Sequence, residues 1–269
     1  MSYKSIIVNL AIDATPAPIV QVGIELAERF GAHLIGLAAA DVPPLVATGD
    51  GMVYEGEIMQ IQRTEIEKRL AELRAEFEEL VPASIFSEWG QAVCSPTRFL
   101  SASARAADLV VTGSQKGENV FRAVDVGSLA LGIGRPVLVA ASNVEHVMAK
   151  TVLVAWKDTR EARRAVWDAL PFLRRAEEVF ICAVGDEIRY ASARDVQNHL
   201  DHHGVAAEVL GLPRPSATVG DEIIQAAERV GADLIVSGAY GHSRMREWVF
   251  GGVTRDLLDH APMCCLMTH

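Results

Sequence analysis

The chain lacks any apolar run near the roughly 20 residues that a membrane-spanning helix requires, although half of its 269 residues are hydrophobic. A helical membrane protein is thereby excluded, while the length suits two domains of ordinary size, each with its own core. Basic charge is also in short supply. Lys and Arg number 25 against 35 Asp and Glu, a formal net charge of −10, so broad binding to nucleic acid or anionic membrane is not expected, there being no counterion release to gain. An anionic ligand would have to be held locally by backbone amides. Cysteine is scarce: Cys94, Cys182, Cys264 and Cys265 show no C-x-x-C spacing and read as small reduced hydrophobes in a reducing compartment. The opening Met1-Ser2-Tyr3-Lys4 leads straight into an apolar strand, without a signal-peptide core or cleavage site, so a cytoplasmic location is expected. Enzyme signatures are missing too: no GxxxxGK[ST] loop, no GxSxG elbow and no Ser-Gly-Gly-x-Asp loop after a first strand. Gly132-Ile-Gly134 precedes a strand instead of opening a dinucleotide turn. Ala11 and Lys157 stand where a receiver domain needs acidic residues.

What the chain does have is a long repeat. Ala107-Asp108-Leu109-Val110-Val111-Thr112-Gly113-Ser114 returns as Ala232-Asp233-Leu234-Ile235-Val236-Ser237-Gly238-Ala239, a displacement of 125 residues. Each copy is an Ala-Asp corner, a short apolar run and a glycine where a strand ends. Both continue through further glycines to a Pro-led apolar strand, Pro136 to Ala141 and Pro262 to Thr268. A period this long means two copies of a whole small domain, not a solenoid. The boundaries expected are 1–145 and 150–269, with 142–150 as the linker.

The first half reads as strand Ser5 to Ala11, a helix from Pro16 to Phe30 stopped by Gly31, and strand His33 to Ala40. A loop from Val42 to Tyr54 precedes an amphipathic helix, Glu57 to Leu80, with Ile58, Ile61, Ile66, Leu70, Leu73, Phe77 and Leu80 at helical spacing. Strand Ser84 to Glu88, helix Pro96 to Ala106, strand Leu109 to Thr112, a short helix after Gly127 and strand Val137 to Ala141 complete it. The second half repeats the order: strand Val152 to Trp156, helix Arg160 to Leu173, strand Val179 to Val184, helix Ala191 to His203, strand Ala206 to Leu210. Helix Val219 to Val230, strand Leu234 to Ser237, helix Val253 to Asp259 and strand Met263 to Met267 follow. Alternating strands and helices give an α/β fold of two doubly wound domains, each with a five-stranded parallel sheet.

Chemistry is expected beyond the carboxyl ends of the strands. There the second half runs Gly238-Ala-Tyr-Gly241, nine residues, then Gly251-Gly252-Val253-Thr254 opening a helix. Glycines let the backbone approach a ligand, and free amides at a helix start attract anions. This G-x2-G-x9-G spacing, the repeated Ala-Asp corner and the Pro-led last strand resemble the universal stress protein (UspA-like) family, in a tandem of two domains. The resemblance implies an adenine nucleotide α-hydrolase-like fold and a pseudo-twofold axis relating the halves. It also implies that the last strands, Val137 to Ala141 and Met263 to Met267, pair antiparallel within one chain.

The resemblance further implies that the glycine loop holds the phosphates of ATP, with or without Mg²⁺, while an Asp ending the first strand holds the ribose or adenine side. In the second half the matches are Gly238, Gly241 and Gly251. Gly252 replaces the family's Ser or Thr, leaving the amides of Gly252 and Val253, with Thr254 two positions on. The Asp position falls on Lys157, beside Asp158, and Trp156 is placed to stack on a base or to fill the core. His242, Ser243 and Arg244 are phosphate neighbours or a solvated loop. The first half departs further. Gly113-Ser114-Gln115-Lys116-Gly117 has three residues between its glycines, Gly127-Ser128 matches the ending, and Ala11 occupies the Asp position, with Asp13 two residues later.

His199, His202 and His203 cluster at a helix end without a carboxylate or cysteine at ligand spacing, so no metal site is read there. No catalytic set is read either. The expected function is regulatory or ligand-sensing: a tandem universal stress protein binding an adenine nucleotide in its second domain, a pseudo-dimer within one chain that can also form a homodimer. Two alternatives stay open, a scaffold that binds no nucleotide or another small ligand, and a slow ATPase.

Overall fold

The computed structural model describes residues 2–44, 55–114, 119–141, 144, 146–184, 187–212, 218–240 and 252–269. Its first half contains β1 (Ser5–Asn9), α1 (Ala17–Phe30), β2 (His33–Ala40), α2 (Glu55–Leu80), β3 (Ser87–Val93), α3 (Pro96–Ser103), β4 (Leu109–Gly113), α4 (Val126–Gly132) and β5 (Val137–Ala140). The second contains β6 (Thr151–Trp156), α5 (Arg160–Leu173), β7 (Glu178–Val184), α6 (Glu187–His202), β8 (Glu208–Leu212), α7 (Val219–Arg229), β9 (Leu234–Gly238), α8 (Val253–His260) and β10 (Cys264–Thr268). The strands form one ten-stranded sheet in the order β3-β2-β1-β4-β5-β10-β9-β6-β7-β8. Every neighbouring pair is parallel except β5 with β10, which join the halves antiparallel through Val137↔Met267, Leu138↔Leu266 and Val139↔Cys265.

Strand alternation sorts the side chains onto two faces. Val152, Val154 and Trp156 share one buried cluster with α1, α2, α5 and α6, whereas Leu153 and Ala155 face the other with α3, α4, α7 and α8. The repeated Ala-Asp corner turns out to be a staple at the amino edge of the sheet. Asp108 Oδ2 accepts from the Lys4 and Ser5 amides at 2.7 and 3.1 Å, and Asp233 Oδ2 accepts from the Lys150 amide at 3.0 Å. Gly31 ends α1 with φ 60°, as a left-handed terminator should. Away from the sheet the halves meet through Tyr3, Phe30 and Phe172, whose ring centroids lie 5.0–5.6 Å apart, and the Tyr3 hydroxyl donates to the Asp168 carbonyl.

Several sequence expectations need correction, among them the helix read as Ala191 to His203, which is Glu187–His202, and the strand read as Ala206 to Leu210, which is Glu208–Leu212. The third strand is Ser87–Val93, not Ser84 to Glu88: the Ile85 amide donates to the Pro82 carbonyl in a turn, and Phe86 stands 72% exposed. An edge strand buries so little that two adjacent hydrophobes misled the reading. In α2 only Ile66, Leu70, Leu73 and Phe77 are buried; Ile58, Ile61 and Leu80 project outward, because the sheet is too short to cover all seven turns of the helix. The short helix of the first half begins at Val126, one residue before Gly127 instead of after it.

The cysteines match their reading as small hydrophobes: Cys182, Cys264 and Cys265 are buried and Cys94 half-buried, all as thiols. Burial raises the Cys182 thiol to about 12 and Cys264 to about 11, and pushes Cys265 higher still. Iodoacetamide at about pH 8 should therefore label the native chain once, at Cys94, although burial and Asp41 raise that thiol as well. Intact mass before and after unfolding checks this. A second adduct on the native chain would contradict the burial of the other three.

Candidate functional site

In the second half, β6 and β9 lie side by side, so the residues following each meet at the carboxyl edge of the sheet. Trp156 ends β6 and points to the α5 and α6 face, where it is 7% exposed. Its indole Nε1 donates to Ser192 Oγ at 3.1 Å. It lines a cavity of about 470 Å³ between α5 and α6, together with Asp158, Val166, Trp167, Asp195 and His199. That volume suits a small organic ligand. Lys157 and Asp158 follow on the surface, and Arg163 donates to Asp158 Oδ1 from Nη2 at 2.6 Å. Thr159 caps α5 by accepting from the Ala162 amide at 3.3 Å.

On the other side of the edge, β9 ends at Gly238. A Cβ there would lie 2.6 Å from the Ala162 nitrogen and 2.7 Å from the Glu161 carbonyl carbon, so this glycine lets the first turn of α5 press onto the strand. Ala239 is held by β10, its amide donating to the Thr268 carbonyl at 2.8 Å. Further along the chain, α8 starts at Val253 with Gly252 as its cap, a residue with no side chain to bond the first amides. Thr254, 2% exposed, accepts the Tyr240 amide at 3.0 Å, so its hydroxyl is engaged inside the fold. Gly241, His242, Ser243, Arg244 and Gly251 lie outside the described residues, as do Lys116 and Gly117 of the first half.

The fold adds groups that sequence spacing did not single out. Arg160 opens α5 and His269 follows β10, and the two meet at Ala239, just past the end of β9. His269 Nδ1 donates to the Ala239 carbonyl at 2.8 Å, and its Nε2 accepts from Arg160 Nη2 at 3.2 Å. Arg160 also pairs with Glu161. Burial works to raise the Glu161 carboxyl, but bonds from Arg160, its own amide and Thr159 hold it below the usual carboxylate range. No local motif marks Arg160 or His269. They are 109 positions apart and converge only because β10 runs beside β9 and α5 packs on both.

The first half has the same frame with a different ending. Its α4 is capped by Asp125, whose Oδ1 accepts from the Ser128 amide at 3.0 Å and whose Oδ2 accepts from the Ser128 hydroxyl. Asp125 of α4 and Gly252 of α8 are thus the structurally equivalent caps, and Gly127 falls at the position of Thr254. Gly127 is explained by packing, because a Cβ there would collide with the Tyr240 hydroxyl. Among the described residues, nothing lies within 4 Å of such a Cβ at Gly113. Across the mouth, Asp13 accepts from Arg122 Nε at 2.7 Å as one arm of a two-pronged ion pair. That hydrogen bond holds the Asp13 carboxyl below its ordinary range. Arg69 reaches from α2 to the Ile12 carbonyl at 3.2 Å. Among the described residues, these two contacts tie the elements of the first-half edge together.

Residues 216–269 match the model of the universal stress protein family. Over its full length the chain is similar in fold to a universal stress protein from Archaeoglobus fulgidus DSM 4304, with a TM-score of 0.67 at 16% identity, covering 98% of this chain and 95% of that one. It is similar also to a functionally unknown protein from Pseudomonas aeruginosa PAO1, with a TM-score of 0.56 at 14% identity, covering 99% and 92%. No curated protein matches the chain in sequence. The chain thus carries a universal stress protein family match over residues 216–269 and shares its fold, over its full length, with a solved universal stress protein.

Proposed function

We propose that the second half binds ATP or a related adenine nucleotide and that the chain is a regulatory sensor, not a metabolic catalyst. The observation that supports this best is the difference between the two helix caps. At α4 the Asp125 carboxylate already accepts from the first-turn amide and repels a second anion. At α8 the equivalent residue is Gly252, which has no side chain to place on the first-turn amides. A nucleotide held there would straddle the sheet edge. Its base would enter the cavity beside Trp156 and Asp158, and its phosphates would face Gly252 and Val253, with Arg160 and His269 alongside. Lys157, Gly241, His242, Ser243 and Gly251 belong to this reading by sequence alone.

Exchanging the caps tests it. Gly252→Asp is expected to weaken ATP binding at least tenfold, about 1.4 kcal/mol or more, while Asp125→Gly leaves second-half affinity unchanged. Calorimetric titration of each variant with ATP and Mg²⁺ measures this, and equal affinity in Gly252→Asp and the parent would remove the nucleotide reading. One observation favours the scaffold alternative: Gly238, the first glycine of the motif, is accounted for by packing against α5 without a ligand. Turnover is expected to be slow. Hydrolysis needs a positioned water and charge stabilisation as well as phosphate binding, and the carboxylates of Asp158 and Glu161 are already engaged by Arg163 and Arg160. Steady-state phosphate release should stay well below ~1 s⁻¹; a faster rate lost in His242→Ala would promote the enzyme reading.

A further inference from the structure

Tyr240 belongs to the second half, yet its ring ends in the first. It follows β9 with φ 55°, a left-handed conformation that is strained for an aromatic residue. Its amide is pinned to Thr254 Oγ1 at 3.0 Å, in the first turn of α8. Its hydroxyl rests on Gly127, in the first turn of α4, so closely that a Cβ there would displace the ring tip. Gly127 lies between Asp125 and Ser128, the pair that caps α4. One strained residue thus spans from the amide cap of one half to the carboxylate cap of the other, across the β5–β10 seam.

We propose that Tyr240 is a positioning residue that couples the two helix starts, so that a shift in the first turn of α8 is felt in the first turn of α4 and the reverse. Tyr240 also packs on the buried cluster that holds Val126 and Leu129 of α4 and Leu257 of α8, so displacement at one end is passed on through close-packed side chains. The link itself needs no ligand; its use as a signal rests on the nucleotide reading above.

Hydrogen exchange on the full chain without nucleotide tests the link. Tyr240→Ala should speed amide exchange roughly tenfold both in 126–132 and in 253–258, with β1 and β7 unchanged as controls of the fold. Gly127→Ala, which displaces the ring from the first-half side, should speed exchange in 253–258 although the substitution lies in the other half. Parent rates in 253–258 for Gly127→Ala, or in 126–132 for Tyr240→Ala, would overturn the coupling. Should Gly127→Ala not fold, Tyr240→Ala decides alone. Adding ATP to the parent chain then separates the two claims. Slowed exchange in both segments supports coupling used as a signal, and slowed exchange in 253–258 alone overturns that use. Slowed exchange in neither counts against the nucleotide reading and leaves the link to the ligand-free result.

Discussion

A chain cut after Ala141 is expected to self-associate and not to persist as a monomer. In the intact protein β5 is an interior strand, paired with β4 on one side and with β10 on the other. Val137 and Leu138 are fully buried there, as are their partners Leu266 and Met267. Removing the second half leaves β5 as an open edge of four apolar residues with no charge or proline to discourage pairing. It also strips Phe172 from Tyr3 and Phe30, exposing two aromatic rings and unpairing the Tyr3 hydroxyl. Antiparallel pairing of β5 with a second copy would restore much of what was lost, because β10 presents the same pattern. Light scattering should therefore report a dimer or larger species. A stable monomer at tens of micromolar would show that the halves hold together by less than this seam.

The two strand-ending glycines of the repeat should respond in opposite ways to the same substitution. Gly238→Ala places a methyl group 2.6–2.7 Å from backbone atoms of α5, which cannot swing aside as a side-chain tip would. The whole helix must shift, together with its packing on β9 and β10. Overpacking of this kind costs about 3 kcal/mol, or roughly 6–12 °C in melting temperature for a chain of this size. Gly113→Ala meets nothing within 4 Å among the described residues and should stay within about 0.5 kcal/mol of the parent. Thermal unfolding of both variants checks the pair. Equal melting temperatures would mean that α5 does not bear on β9 as described. The comparison also shows why Gly238 is a poor probe of ligand binding: its loss removes the site by moving its wall.

Spacing between glycines was a partial guide to the candidate site. In the second half it led to Gly252 and Val253 at the start of α8, whereas Trp156 and Asp158, which line the cavity, came from the family's first-strand Asp position. In the first half it paired Gly127 with Gly251, whereas the helix caps pair Asp125 with Gly252. It also aligned Pro136 with Pro262, although Pro136 directly precedes β5 and Pro262 stands two residues before β10. Glycine occurs for several physical reasons, among them close approach of a ligand, of a helix and of a tyrosine ring. A single sequence does not distinguish them. Arg160 and His269 were illegible for a different reason: their meeting depends on strand order.

The alternation of strands and helices, most of their boundaries and the doubling of the fold follow from the sequence by itself. They rest on local rules: apolar runs that suit buried parallel strands, caps such as Gly31, and helical spacing such as that of Leu70, Leu73 and Phe77. Those rules act within a few residues and survive whatever the rest of the chain does. The tertiary structure alone decided that Asp13 pairs with Arg122, that Arg160 meets His269, and that Tyr240 of one half lies on Gly127 of the other. Each of these depends on contacts between residues about a hundred positions apart. Their geometry is set by how strands are ordered and helices packed, and it leaves no periodic trace in the chain.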